Sequence, residues 1–103
     1  MVTFVESPAF SDRLPGYLDD EEYARLQVAL LERPDAGALI PKSGGVRKLR
    51  WAGKGRGKRG GLRVIYYWQR AEDEIWMLTL YAKSEEQNIA AHVLRAILAE
   101  FSE

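Results

Sequence analysis

The residues best suited to do chemistry in this chain are cations, and they are gathered in one place. Of fifteen Lys and Arg, nine fall between Lys42 and Arg63: Lys42, Arg47, Lys48, Arg50, Lys54, Arg56, Lys58, Arg59 and Arg63. No Asp or Glu lies between Ala36 and Ala71, although the formal net charge of the whole chain is +0. Such segregation creates a local positive potential whatever the total, and it draws in polyanions. A phosphate-rich partner is the first candidate, and an acidic protein the second. In GKGRGKRGG, glycine removes bulk so that a backbone or ligand can come close. Lys and Arg supply charge-assisted hydrogen bonds to phosphate oxygens. No GK[ST] follows and no helix opens there, so this is not a nucleotide-binding P-loop. A solvated hairpin loop with incidental charge is the plainer reading. Arg47, Lys48, Arg50 and Arg63 on the flanking strands favour a binding surface, because a loop alone needs no basic strands.

Two further cations stand out by position. Arg63 sits one step into an apolar, aromatic strand, where an unpaired guanidinium is expensive to bury. It must meet either an acid from elsewhere or an anionic ligand. Lys83 raises the same question at the end of the next strand, beside Tyr81. If the two strands pair through AEDE, Arg63 and Lys83 both lie near the open end of that hairpin. The three tryptophans, Trp51, Trp68 and Trp76, read as core residues, although Trp51 borders the basic loop and could instead stack on a base. Zero cysteines and one histidine exclude Cys–His and zinc sites. His92 lies mid-helix and reads as structural or exposed. No Ser-His-Asp set is visible, and DDEE reads as a solvated first helical turn rather than a magnesium site.

These residues need elements to hold them. TFVES is a short strand ended by Pro8. FSDRLPGYLDDEEYARLQVALLERPDAG is helical with a break at Pro15-Gly16, and Asp19 with Glu22 has capping-box spacing for a second helix. Tyr23, Leu26 and Leu30, with Val28 and Leu31 beside them, give that helix an apolar face. Pro34 ends it, and PDAGALIPKSGG is a turn-rich connection. VRKLRWA alternates, with Val46, Lys48, Arg50 and Ala52 one way and Arg47, Leu49 and Trp51 the other. GLRVIYYWQR sets Leu62, Val64, Tyr66 and Trp68 against Arg63, Ile65 and Tyr67. EIWMLTLYAK is apolar on both faces, as a covered central strand is, and AEDE joins it to the preceding strand as an antiparallel hairpin. Ser84 with Gln87 has capping-box spacing for a last helix, whose stripe runs Ile89, Ala90, Val93, Leu94, Ile97, Leu98 and Phe101. The order strand, two helices, three strands, helix predicts an α+β fold.

With 103 residues, 47% of them hydrophobic, the chain reads as one domain over residues 1–103. No apolar run approaches the ~20 residues of a membrane helix, and MVTFVESPAF lacks the pattern of a secretory signal. The expectation is a cytoplasmic domain with no cofactor, no metal and no membrane partner.

GGLRVIYYW, the hairpin leading to WMLTLYAKSEEQNI, and the amphipathic end resemble the RelE/ParE superfamily of bacterial toxins from type II toxin–antitoxin systems, nearest its RelE-like branch labelled HigB. The resemblance spans nearly the whole chain in element order. It implies a small antiparallel sheet with two N-terminal helices on one side and a C-terminal helix. It also implies a ribosome-dependent endoribonuclease that cuts mRNA in the ribosomal A site without a metal, through attack of the ribose 2′-OH on the adjacent phosphate. The family's strand arginine falls on Arg63, and its basic residue at the end of the following strand on Lys83. Its lysines fall on Lys48, Lys54, Arg56, Lys58 and Arg59, with Arg47, Arg50 and Trp51 alongside as RNA- or ribosome-binding candidates. Ile89 stands where the family's stacking tyrosine falls, so the resemblance leaves Tyr81 or a lysine such as Lys58 to take the proton. Implied partners are the ribosome, mRNA and a cognate antitoxin of HigA or RelB type that binds DNA. The gyrase-poisoning ParE activity and a non-catalytic RNA-binding module are the alternatives.

Overall fold

The computed structural model describes residues 1–52, 61–85 and 89–101. Lys54, Arg56, Lys58, Arg59 and Gln87 therefore lie outside the described residues. The elements in chain order are β1 (Thr3–Glu6), α1 (Pro8–Arg13), a 3-10 turn (Leu14–Gly16), α2 (Asp20–Glu32), β2 (Ala38–Leu39), β3 (Arg47–Trp51), β4 (Leu62–Gln69), β5 (Glu74–Ala82) and α3 (Ala91–Phe101). The expected α+β architecture is present, and its strands form one five-stranded sheet in the order β1-β5-β4-β3-β2.

Local chemistry sets the helices. Ser7 caps α1 by accepting the Phe10 N–H at 3.0 Å while its hydroxyl donates to the Leu78 carbonyl at 2.6 Å, which pins the helix to β5. Pro15-Gly16 interrupts the helical run as a 3-10 turn. Asp19 and Glu22 form the reciprocal capping box, at 2.8 and 3.1 Å, that opens α2. The helix stops at Glu32, two residues before Pro34. Leu26 and Leu30 are fully buried, whereas Val28 and Leu31 stay 52% and 47% exposed. The apolar face of α2 is thus narrower than its sequence suggests.

The alternation in β3 and β4 holds. Leu49, Trp51, Leu62, Val64, Tyr66 and Trp68 pack with Phe10, Leu26 and Leu30 beneath α1 and α2. Val46, Ile65 and Tyr67 pack on the opposite face with Trp76, Leu78, Tyr81 and Leu94. That second face is covered by α3, where the Phe101 ring stacks on Trp76 at 5.0 Å. In β5 the pairing jumps between Ile65/Thr79 and Tyr66/Met77. Leu78 is the extra residue of this bulge, which shifts the alternation by one, so that Ile75 and Met77 before it and Leu80 and Ala82 after it face the same core.

Three features differ from the sequence reading. β1 pairs with β5 in parallel, so one edge of the otherwise antiparallel sheet is mixed. The turn-rich connection contains β2, whose two residues extend the other edge by pairing Ala38 with Lys48 and Leu39 with Arg47. Finally, α3 begins at Ala91 rather than at Ser84. Ser84 instead lies in a turn closed by the Glu85 N–H on the Ala82 carbonyl at 2.9 Å. The first turn of α3 bonds to the Ala90 carbonyl, through Val93 and Leu94.

Candidate active site

Where β3 and β4 lead away from the core beneath α3, the described residues leave a hollow. There Lys48, Leu49, Arg50, Arg63 and Lys83 line a cavity of about 560 Å³, walled on one side by Ala36 and Ala38. The strand register explains the convergence. Arg50 lies directly opposite Arg63, and Lys48 opposite Ile65, so alternation sends Lys48, Arg50 and Arg63 to one side. Lys83 follows β5, and its N–H bonds the Gly61 carbonyl at 3.3 Å, which brings it level with the start of β4.

The wall is held by a device that the sequence does not announce. The Tyr66 hydroxyl donates to the Pro34 carbonyl at 2.7 Å and accepts the Gly37 N–H at 2.9 Å. Burial, the largest cause, pushes this phenol's pKa up and keeps it a donor. A Cβ on Gly37 would lie 2.9 Å from the Tyr66 ring and 3.1 Å from the Lys48 backbone, so only glycine lets the segment come this close.

Electrostatically the cavity is unbalanced. Like charges directly opposite on paired strands are destabilising, yet Arg50 faces Arg63. The Arg63 side chain is held in a residue only 9% exposed. Its hydrogen bond is to the neighbouring Leu62 carbonyl, at 3.3 Å. Neither Arg63 nor Lys83 forms an ion pair among the described residues, whose salt bridges, such as Arg25–Glu21 at 2.9 Å, lie elsewhere. A buried guanidinium with so few partners offers its remaining N–H groups to an anion, and the planar fork suits phosphate. Among the described residues no group of three or more His, Asp or Glu side chains is placed to hold a metal ion, and no helix is long and apolar enough to cross a membrane.

Of the residues singled out in the sequence, Lys48, Arg50, Arg63 and Lys83 are brought together. Tyr81 is opposite Arg63 in register but only 1% exposed, in the core beneath α3, and it does not line the cavity. Ile89 packs on the same core. Trp51 is on the other face of β3, against Ala24, Arg25, Val28 and Ala29 of α2. Arg47 is turned away too, donating to the Asp35 and Gly37 carbonyls at 3.2 and 2.7 Å. His92 is exposed on α3.

A small α+β domain with a cationic cup at the open end of its central hairpin is the class that this geometry defines. The family described as RelE toxin of RelE / RelB toxin-antitoxin system matches residues 27–100, and the chain belongs to it. Among solved structures it is similar to a double arginine-to-alanine mutant of E. coli toxin RelE in the free state, with a TM-score of 0.60 over 90% of this chain and 92% of that one. Identity there is 11%, so that likeness concerns the fold.

Proposed function

We propose that this toxin is a ribosome-dependent endoribonuclease that cuts mRNA in the A site and so arrests translation, with Arg63 at the scissile phosphate. The observation that carries the reading is the buried, scarcely bonded Arg63 guanidinium sharing one cavity with Lys48, Arg50 and Lys83.

RNA cleavage by this route needs a base for the 2′-OH, charge on the non-bridging oxygens, and an acid for the departing 5′ oxygen. In the proposed step the 2′ oxygen bonds to phosphorus as its proton passes to a base. The bond to the 5′ oxygen then breaks, and that oxygen takes a proton, leaving a 2′,3′-cyclic phosphate and a 5′-OH. Arg63 and Arg50 hold the phosphate and its developing charge. Lys83, at the rim, is the acid. Lys48, which lines the cavity, is our candidate for the base, with Lys58 as the alternative; Tyr81, buried in the core beneath α3, is set aside for this role. Lys54, Arg56 and Arg59, outside the described residues, are kept as candidates for binding RNA and ribosome by their charge alone. The ribosome would supply the positioning that a site without a strong acid–base pair lacks. RelE family toxins pair with an antitoxin, and a HigA- or RelB-like partner presenting acidic segments would neutralise this face.

The test is induction of the toxin in bacteria with mapping of mRNA 5′ ends, with and without translation. Translation-dependent cuts, lost in Arg63→Ala and Lys83→Ala along with growth arrest, are the expected result. Intact messages with gyrase–DNA adducts would contradict it, as would full toxicity in both variants.

A further inference from the structure

The carboxylate of Glu85 is two residues from Lys83 and could neutralise it, but its Oε1 is already engaged. That oxygen accepts the Ala82 N–H at 3.1 Å and also the Tyr17 hydroxyl. Tyr17 arrives from the other layer of the molecule. It follows the 3-10 turn, its N–H bonded to the Leu14 carbonyl at 3.0 Å, and α1 ahead of that turn is tied to β5 through Arg13 Nη1 on the Leu80 carbonyl at 3.3 Å. A phenol carried by a fixed layer thus reaches the turn that carries Lys83. We infer that Tyr17 is a positioning residue for Lys83: by engaging the Glu85 carboxylate, it keeps the Lys83 ammonium available to the cavity.

Two observations support this. Lys83 lines the cavity and makes no ion pair among the described residues, although an acid stands two positions away. The Tyr17 phenol is stabilised in its protonated, donating form, first by its hydrogen bond to Glu85 and then by burial, against a smaller opposing effect of the Arg13 charge. The same bonds fix the backbone of the turn, since Glu85 N–H to the Ala82 carbonyl and Ala82 N–H to the Glu85 carboxylate close it from both sides. A carboxylate within a few ångströms of an ammonium favours the charged, paired state and removes both a proton donor and a reactive amine. The role of Lys83 in cleavage rests on the function proposed above; its contact with Glu85 does not.

Two measurements on the purified protein separate the two. The rate at which N-hydroxysuccinimidyl acetate acetylates Lys83, read by mass spectrometry, needs no RNA. Tyr17→Phe should slow it on the order of 3- to 10-fold, because the released carboxylate turns to the ammonium. Glu85→Gln, which keeps an acceptor oxygen and loses the charge, should leave it unchanged, and Tyr17→Phe/Glu85→Gln should recover it. In cleavage on programmed ribosomes, Tyr17→Phe should lower kcat roughly tenfold with KM unchanged, and the double variant should recover it. Unaltered acetylation in Tyr17→Phe, or a slow double variant, overturns the inference. Wild-type protein that cleaves nothing overturns the functional reading while the acetylation rates still decide the role of Tyr17.

Discussion

Two basic hollows sit at opposite ends of the β3–β4 pair, and their arginines live differently. At one end a groove of about 310 Å³ is lined by Leu39, Gly44, Gly45, Arg47, Tyr67, Trp68, Gln69 and Arg70. There Arg47 is spent on the Asp35 and Gly37 carbonyls, and the Arg70 guanidinium lies 4.3 Å from the centre of the Trp68 ring. At the other end, Arg63 is more deeply buried than either but bonds to its neighbour's carbonyl, with Arg50 set against it across the strands. Charge alone does not mark a site. What marks it is charge that the fold has left without internal employment, at a cost in stability.

That contrast can be broken by substitution. The largest effect is expected in the cavity: Lys83→Ala should lower single-turnover cleavage by about 10²- to 10⁴-fold, the usual worth of a positioned acid, with no loss of thermal stability. At the other end Arg47→Ala should cost about 1–3 kcal/mol by leaving the Asp35 and Gly37 carbonyls unmatched, seen in urea unfolding, with cleavage per folded molecule preserved. Tyr66, which joins the two ends through Gly37, adds a pH dependence. Its pKa is raised in the folded chain, so its contribution is complete below the unfolded value of about 10 and is lost as pH climbs through the folded value. Unfolding at alkaline pH should show that loss, and Tyr66→Phe should remove this part of it. The smallest effect has the opposite sign. Arg63→Met relieves the Arg50–Arg63 opposition and should stabilise the chain by about 0.2–1 kcal/mol, whereas Arg47→Met should not.

Much of this was legible in the sequence where one residue decides its own surroundings. Alternation in β3 and β4 sorts Lys48, Arg50 and Arg63 from Leu49 and Trp51, and the Asp19–Glu22 spacing sets the start of α2. Pairing across long separations was not. Two residues are too few for Ala38–Leu39 to show a period, and nothing in TFVE reveals that β1 runs parallel to a strand some seventy positions on. Arg47 reads as a ligand-binding cation because its acceptors are backbone carbonyls, which sequence does not display. Trp51 borders the basic loop in the chain but faces α2 in space. Tyr17 and Glu85, 68 residues apart, meet only through the docking of α1 on β5.

The central claim is that Arg63 is held for a phosphate and not for the fold. Single-turnover cleavage of A-site mRNA on programmed ribosomes by wild type and Arg63→Ala, beside their urea unfolding curves, tests it most directly. A fall of roughly 10²- to 10³-fold in rate with stability equal or higher is the expected result. An undiminished rate, or a loss explained by unfolding, would contradict it.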